Sequence, residues 1–333
     1  MIKRCLQAFA LLTMHSTLAF ALVTAHGPEP APQVDRYQTW RAAAAQILIG
    51  RGDANSLATA AALSFLGLAT RLKTDSAAQK SAAVDLAVKA SELEPGNPSI
   101  GWLRLQLCAN TPGCDVRDAA TTMRWVDADN GAAWMPTLAA AQRDKDAMEV
   151  DRILADMAQG VRFDLYWNRT VVLLFDALKN VGGELPAKYL PSELARLDEA
   201  MTVASAEIIP PFSPLLNACR DSAGTERRES CLKLAKIMQR GDTVVAQMAG
   251  FSIERRLSPP ESKEARAIAE HKHVLEWRVS SAGQLDAPVL PWLKNARARR
   301  RVAQMRAMPR EEDVDIAILR EHKLPLEPPE GPP

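Results

Sequence analysis

The stretch Lys89–Trp102, KASELEPGNPSIGW, has the pattern of a helix end, a short turn and a new helix. A second stretch, Met123–Trp134, MRWVDADNGAAW, repeats this order with an acidic, Asn-containing turn. Trp102, Trp134 and Trp167 lie 32 and 33 residues apart. A period of about 33 residues is typical of stacked helix pairs. The spacing therefore predicts an all-α protein, an α-solenoid of stacked helix-turn-helix repeats with about a dozen helices.

The three tryptophans allow two interpretations. In the first, each ring opens a helix and packs against the layer below, which buries a large apolar area. In the second, the rings line a groove and stack on a sugar or peptide. The recurring position favours the first interpretation, so we expect Trp102, Trp134 and Trp167 to be structural residues of the repeat.

The segment Ala83–Pro95 resembles the second helix of a tetratricopeptide repeat, with small residues at Ala83, Ala87 and Ala90 and a terminal proline. The junction Glu94–Asn97, followed by Trp102, is similar to the junction between such repeats, with one extra residue before the tryptophan. The resemblance covers Asp75 to Lys179 and implies helix-turn-helix units that bind peptides or partner proteins. We therefore expect tetratricopeptide-like repeats over residues 35–180.

The N-terminus has the order of a secretory signal peptide. Lys3 and Arg4 precede an interrupted apolar stretch, and Ala25 offers a small residue at a cleavage point before a Pro-rich leader. We expect a signal peptide at residues 1–25, a disordered leader at 26–34, and a periplasmic or secreted mature chain. The alternative is a membrane anchor, which needs about 20 clean apolar residues. No later segment is long and apolar enough, so the cleaved chain is expected not to span a membrane.

Composition argues against nucleic acid as a partner. The whole chain has a formal net charge of +1, and loss of Lys3 and Arg4 changes it to −1. Such a balance creates no strong field for nucleic acid. Aromatic residues are only 5% of the chain, which suits helices better than strands.

Four cysteines remain after the expected cleavage, and an even number in an exported chain predicts disulfides. Pairing of near neighbours places a short turn between each pair, which predicts the bonds Cys108–Cys114 and Cys219–Cys231. The alternative, a zinc site, needs closer ligand pairs such as C-x-x-C, and the sequence has none.

The period fades after residue 180, although helical patterns continue. We expect residues 181–323 to form a further helical region that continues the solenoid. The tail 324–333, LPLEPPEGPP, is expected to be extended because of its prolines.

Glu270, His273 and Glu276 share one face of a predicted helix, whereas His271 points away from it. These three side chains are weak candidates for a metal site, since solvated residues at this spacing are common on amphipathic helices. We predict no metal and no cofactor.

A basic run, Arg297–Arg306, has two interpretations. It is either a solvated face that contacts the acidic residues 311–313 or a docking surface for an acidic partner or for phospholipid head groups.

The sequence names no catalytic residue. We expect a non-catalytic scaffold or protein- or peptide-binding module of the cell envelope. The alternative is an all-helical envelope enzyme that acts on cell-wall glycan with a buried carboxylate as acid.

Overall fold

The computed structural model describes residues 32–69, 76–181, 192–220, 224–285 and 293–329. The expected signal peptide and most of the expected leader lie outside these residues. The chain divides into two compact units, Met1–Trp40 and Arg41–Pro333. The described part of the first unit is helical.

The described residues form fifteen α-helices and a short 3₁₀ helix, which confirms the predicted all-α class. The bounds are α1 Pro32–Arg51, α2 Ala54–Ala69, α3 Ser76–Leu93, α4 Pro98–Ala109, α5 Val116–Val126, the 3₁₀ helix Gly131–Trp134, α6 Met135–Arg143, α7 Ala147–Met157, α8 Trp167–Val181, α9 Glu193–Glu207, α10 Ser213–Ala218, α11 Thr225–Met238, α12 Val244–Leu257, α13 Lys263–Leu285, α14 Lys294–Ala307 and α15 Glu311–Glu321. Helix α1 begins before the expected boundary at Asp35.

Side-chain caps set several helix starts. Asn97 accepts hydrogen bonds from the backbone N–H groups of Ser99 and Ile100, and Pro98 occupies the first turn of α4. Asp115 and Asp146 cap α5 and α7 in the same way. Such caps satisfy backbone donors that lack a partner within the helix, and each stabilises its helix by about 1 kcal/mol. The Asn-containing turn in the opening stretch is therefore a helix start.

Within the second unit, many helices pack against the next helix in the chain. Such neighbours include α2 with α3, α3 with α4, α4 with α5, α6 with α7, and α11 with α12. Gly250 permits the last of these contacts, because a Cβ there would lie 2.7 Å from the carbonyl oxygen of Ala235.

Helix α2 also packs against helices far away in sequence. It contacts α8 and α9 as well as α3 and α4. Its residues Ala58, Ala60, Ala61 and Ala62 are fully buried. Small side chains let neighbouring helices approach closely, so this alanine-rich helix is surrounded on several faces. In an ideal solenoid each repeat contacts only its neighbours, and these distant contacts depart from that scheme.

The predicted cysteine pairs are at disulfide distance. The Cα atoms are 5.4 Å apart in Cys108–Cys114 and 5.6 Å apart in Cys219–Cys231, which are usual separations for a disulfide. The first pair closes the turn that follows α4, and the second joins the end of α10 to α11. Two such pairs fit an oxidising compartment.

Candidate binding groove

A groove of about 800 Å³ lies between the α11–α12 turn, α12, α13, the start of α15 and the C-terminal segment. We call it the groove. It is lined by Gln239, Arg240, Gln247, Phe251, Glu270, His271, His273, Val274, Leu275, Arg278, Glu312, Glu327, Pro328 and Pro329.

The floor of the groove is apolar. Phe251 on α12 and Leu275 on α13 are buried together with Ile268, and partly buried apolar side chains pack against this cluster. This apolar cluster joins α12 to α13. On α13, Ile268 and Leu275 are seven residues apart and so lie on the same face of the helix. The polar groups of the groove therefore lie beside a packed apolar cluster.

One wall of the groove contains an ion-pair network. Arg278 donates from Nη1 to Oε1 of Glu312 over 2.6 Å, and Arg310 donates from Nη2 to Oε2 over 2.6 Å. The Glu312 side chain is only 12% exposed, so water screens these pairs less than it screens surface pairs. The network fixes the first turn of α15 against α13.

The neighbouring residue Glu311 joins α15 to α12. Its Oε2 accepts a hydrogen bond from the backbone N–H of Val244 over 2.9 Å, and its own N–H donates to the carbonyl of Asp242 over 2.7 Å. Burial raises the pKa of Glu311, while the bond from Val244 acts in the opposite direction. Together these contacts hold both helices at the groove.

The C-terminal segment is held by main-chain contacts. Trp277 donates from Nε1 to the carbonyl of Pro325 over 3.4 Å, and Arg278 donates from Nε to the carbonyl of Leu326 over 3.0 Å. Helix α15 ends with Lys323 in the left-handed region at φ 57°, and the N–H of Leu324 bonds back to Leu319. This reversal is a Schellman motif, and it directs the following residues toward α13.

The structure brings part of the predicted histidine cluster to the groove. Glu270, His273 and also His271 line it, although the helical spacing placed His271 on another face. Glu276 is absent from the lining and pairs instead with Lys272 over 2.9 Å. Among the described residues, no group of three or more His, Cys, Asp or Glu side chains is arranged to hold a metal ion.

The three tryptophans have different environments. Trp102 is fully buried in α4, and Trp167 is buried at the start of α8. Trp134 is half-buried, and the guanidinium carbons of Arg124 and Arg152 lie 3.9 Å and 5.6 Å from its ring centroid. None of the three lines the groove. Two of the rings are thus buried, whereas the third is partly exposed and lies beneath two guanidinium groups.

A polar hub, which the sequence did not reveal, holds the segment between α7 and α8; Arg162 is its exposed member. We define the hub as Asp127, Asn130, Arg162, Tyr166 and Asp242. Tyr166 and Arg162 both donate hydrogen bonds to the carboxylate of Asp127.

Asn130 binds the same segment through both ends of its amide. Its Nδ2 donates to the Tyr166 hydroxyl over 2.9 Å and to the carbonyl of Asp164 over 2.8 Å. Its Oδ1 accepts from the backbone N–H groups of Ala132 and Asp164. All of its hydrogen-bonding capacity is used.

Asp242 links this hub to the groove helices. Its carboxyl oxygens accept the backbone N–H groups of Leu165 over 2.7 Å and Trp167 over 3.2 Å. Burial, aided by nearby Asp164, raises the pKa of Asp242 to about 8, although these N–H groups act to lower it. Because Asp242 precedes α12 and its carbonyl accepts from Glu311, the hub positions the α12–α15 side of the groove.

Tyr166 is the most unusual residue of the hub. Its φ of 58° lies in the left-handed region, which a bulky side chain rarely adopts. Burial and the bond to Asp127 raise its pKa. The hydrogen bonds to Asp127 and Asn130 hold this backbone conformation in place. The acidic turn 127–130 was a weak sequence signal for the hub, because it also fits an ordinary helix junction.

A further buried carboxyl group lies at the end of α9. Glu207 is 5% exposed. Burial raises its pKa to about 7, while Lys80 acts in the opposite direction. Glu207, Asp242 and Glu311, whose pKa values burial raises, do not line the groove.

The basic run on α14 pairs within the chain. Arg299 pairs with Glu193, Arg300 with Glu321, Arg301 with Asp315 and Arg306 with Asp176. The interpretation as a solvated, paired face is thus supported. The salt bridges of α14 reach α9, α8 and later residues of α15, and Arg301 also acts electrostatically on Glu311, one of the expected partners.

No helix among the described residues has both the length and the apolar character to cross a bilayer. No family model, curated protein or solved structure matches the chain.

Proposed function

We propose that this chain is an exported, non-catalytic helical-repeat protein that binds an extended peptide segment of a partner protein in the groove. The observation that carries the proposal is the groove itself. It combines an apolar floor of Phe251 and Leu275 with amide, guanidinium, imidazole and carboxylate groups on its walls. Ligand sites are usually concave and largely apolar, with a few polar groups that fix orientation.

Export is supported by two independent features. The N-terminal sequence has the order of a signal peptide. The cysteine pairs are at disulfide distance, and disulfides persist in oxidising compartments such as the periplasm.

The tetratricopeptide-like arrangement is supported by the packing of successive helices, such as α2–α3, α3–α4 and α4–α5. The contacts of α8 and α9 with α2 and α4 lie outside nearest-neighbour stacking. In our proposal these contacts stiffen the stack, and the region after α10 carries the binding groove.

The enzymatic alternative has less support. A glycan-cleaving acid needs a carboxyl group with a raised pKa that faces a substrate cleft. Glu207 and Asp242 have raised pKa values, but neither lines the groove. Both oxygens of Asp242 are also engaged by backbone N–H groups.

Site-specific photocrosslinking in the native envelope tests the proposal. A photoreactive amino acid replaces His273, which is exposed at the groove, or, as a control, Lys233, which is exposed on α11 and absent from the lining. We expect a discrete adduct from position 273 and none from 233. The charge reversal Arg240→Glu should weaken the adduct more than Lys233→Glu does. Equal adducts from both positions would refute a role for the groove.

A further inference from the structure

The C-terminal segment forms one side of the groove. Glu327, Pro328 and Pro329 line the groove, whereas Pro325 and Leu326 do not. The chain bends at Leu326 and Glu327. The segment is therefore held on α13 at its first two residues and reaches the groove with its last three. We call residues 325–329 the strap.

The strap follows a fixed base. Lys323 adopts the left-handed conformation that ends α15, and its N–H donates to the carbonyl of Arg320 over 3.1 Å. The N–H of Leu324 donates to the carbonyl of Leu319 over 2.9 Å. These backbone bonds belong to the end of the helix, so the chain can pivot after Leu324 while α15 stays intact.

Two donors on α13 hold the strap. Trp277 donates from Nε1 to the carbonyl of Pro325 over 3.4 Å, and Arg278 donates from Nε to the carbonyl of Leu326 over 3.0 Å. Proline has no N–H, so the strap is held chiefly through its carbonyls. Water competes for groups in exposed positions, and such bonds contribute little net stability. A segment held in this way opens at a low free energy.

Arg278 belongs both to the anchor of the strap and to the groove. It lines the groove, and its Nη1 donates to Glu312 over 2.6 Å while its Nε holds Leu326. A ligand that contacts Arg278 inside the groove therefore meets a residue that holds the strap. Trp277 lies outside the lining, so this second anchor can be changed without altering the groove wall.

We propose that the strap is a gate on the groove. In the closed position it narrows the groove, and when it is released from Trp277 and Arg278 it admits the peptide segment of the partner. This inference rests on the proposed peptide-binding function and concerns its regulation. The prolines suit a gate that closes again, because each fixes its own φ at about −65°. The released strap therefore loses less conformational entropy on closing than an ordinary loop does.

Thiol accessibility in the groove tests the gate without the ligand. Val274, which lines the groove and is half-buried, is replaced by cysteine in the full chain and in a variant that ends at Leu324. The probe is fluorescein maleimide, a bulky reagent whose rate of reaction with the new thiol is measured. A strap that is closed for about nine-tenths of the time lowers the reactive fraction about tenfold. We therefore expect an about tenfold faster reaction in the shortened variant.

Matched variants separate the gate from a general loosening of the fold. Lys233→Cys, exposed on α11 and outside the lining, should react at the same rate in both chains. In the full chain with Val274→Cys, Trp277→Phe keeps an aromatic ring but removes the N–H donor. Its rate should lie between those of the full and shortened chains. Trp125→Phe, at an exposed tryptophan that does not line the groove, should leave the rate unchanged.

Equal reaction rates of the Val274→Cys thiol in the full and shortened chains would overturn the gate. A faster reaction in the shortened chain that Trp277→Phe does not share would overturn the anchoring role of Trp277.

Photocrosslinking at position 273, carried out with both chains, separates the gate from the proposed function. A stronger adduct from the shortened chain would support both. If an adduct forms but the labelling rates are equal, the gate falls and the proposed function stands. If the labelling rates differ but neither chain gives an adduct, peptide binding falls and only the movement of the strap remains.

Circular dichroism checks that the shortened variant folds. If it does not fold, the comparison of Trp277→Phe with Trp125→Phe in the full chain decides. Equal labelling rates in those two variants would then contradict the gate.

Discussion

The indole N–H of Trp102 donates a hydrogen bond to the backbone carbonyl of Ile208 over 2.9 Å, across 106 residues of chain. The bond joins α4 to the end of α9 in a fully buried site. It shows that a tryptophan of the repeating spacing makes a contact beyond its own helix pair. The ring centroids of Trp102 and Tyr166 are 6.3 Å apart. The polar hub, which contains Tyr166, therefore adjoins the buried site of Trp102.

Trp102→Phe should destabilise the protein more than Trp134→Phe does. Loss of the indole N–H removes a partner from the buried carbonyl of Ile208, and such losses cost about 1–3 kcal/mol. Phenylalanine at 134 still offers a ring to Arg124 and Arg152, so that change should cost under about 1 kcal/mol. Urea unfolding followed by circular dichroism measures both values. Equal losses would show that the long-range bond contributes nothing.

Tyr166→Phe tests the polar hub. The change removes a hydrogen bond to the buried carboxylate of Asp127, and bonds to charged groups contribute about 1.5–3 kcal/mol. Asp127→Asn and the double variant complete a double-mutant cycle, which isolates the coupling between the two side chains. We expect a coupling of about 1 kcal/mol or more from the free energies of unfolding. Additive effects would mean that the contact is energetically silent.

Glu207→Gln should flatten the dependence of stability on pH. The folded-state pKa of about 7 lies above the ordinary value of 4.5, so the folded protein retains a proton that the unfolded chain loses. The free energy of unfolding therefore falls as pH rises from about 4.5 to 7, by roughly 3 kcal/mol in total.

Urea unfolding of the wild type and Glu207→Gln at pH 5 and pH 8 gives the required difference. The variant should lose less stability than the wild type between these pH values. Asp242, whose pKa is also raised, lowers the free energy of unfolding with rising pH in both proteins. The test therefore depends on the difference between wild type and variant. The exposed Glu226→Gln is the control and should follow the wild type.

Removal of either cysteine pair should destabilise the fold. The pairs are separated by 6 and 12 residues, and loop closure of that size contributes about 2–3 kcal/mol in the chain-entropy model. Cys219→Ser with Cys231→Ser should cost slightly more than Cys108→Ser with Cys114→Ser. Unfolding of the variants gives the costs, and peptide mapping without reduction identifies the bonds. Four free thiols in the native protein would contradict the assignment.

The exported protein should lack residues 1–25. A basic head, an apolar stretch and a small-residue exit at Ala25 occur in the order that signal peptidase requires. N-terminal sequencing of the protein from the envelope fraction checks this. A mature form that still begins at Met1 would remove the main sequence support for export.

The sequence alone determined the helical class, several helix starts and the cysteine pairing. These features depend on neighbours within a few turns of chain. Asn97 caps the helix that follows it, and Cys108 and Cys114 are separated by a single turn. Such short-range chemistry is visible in residue order because few alternative partners lie within reach.

The tertiary structure alone decided the hub and the groove. Tyr166 meets Asp127 across 39 residues, and Leu165 meets Asp242 across 77. The periodicity of a helix states which of its faces is apolar but not which distant segment covers that face. His271 shows the same limit, because helical spacing separated it from His273, whereas the packing of α12, α13 and the C-terminal segment brings both to one groove.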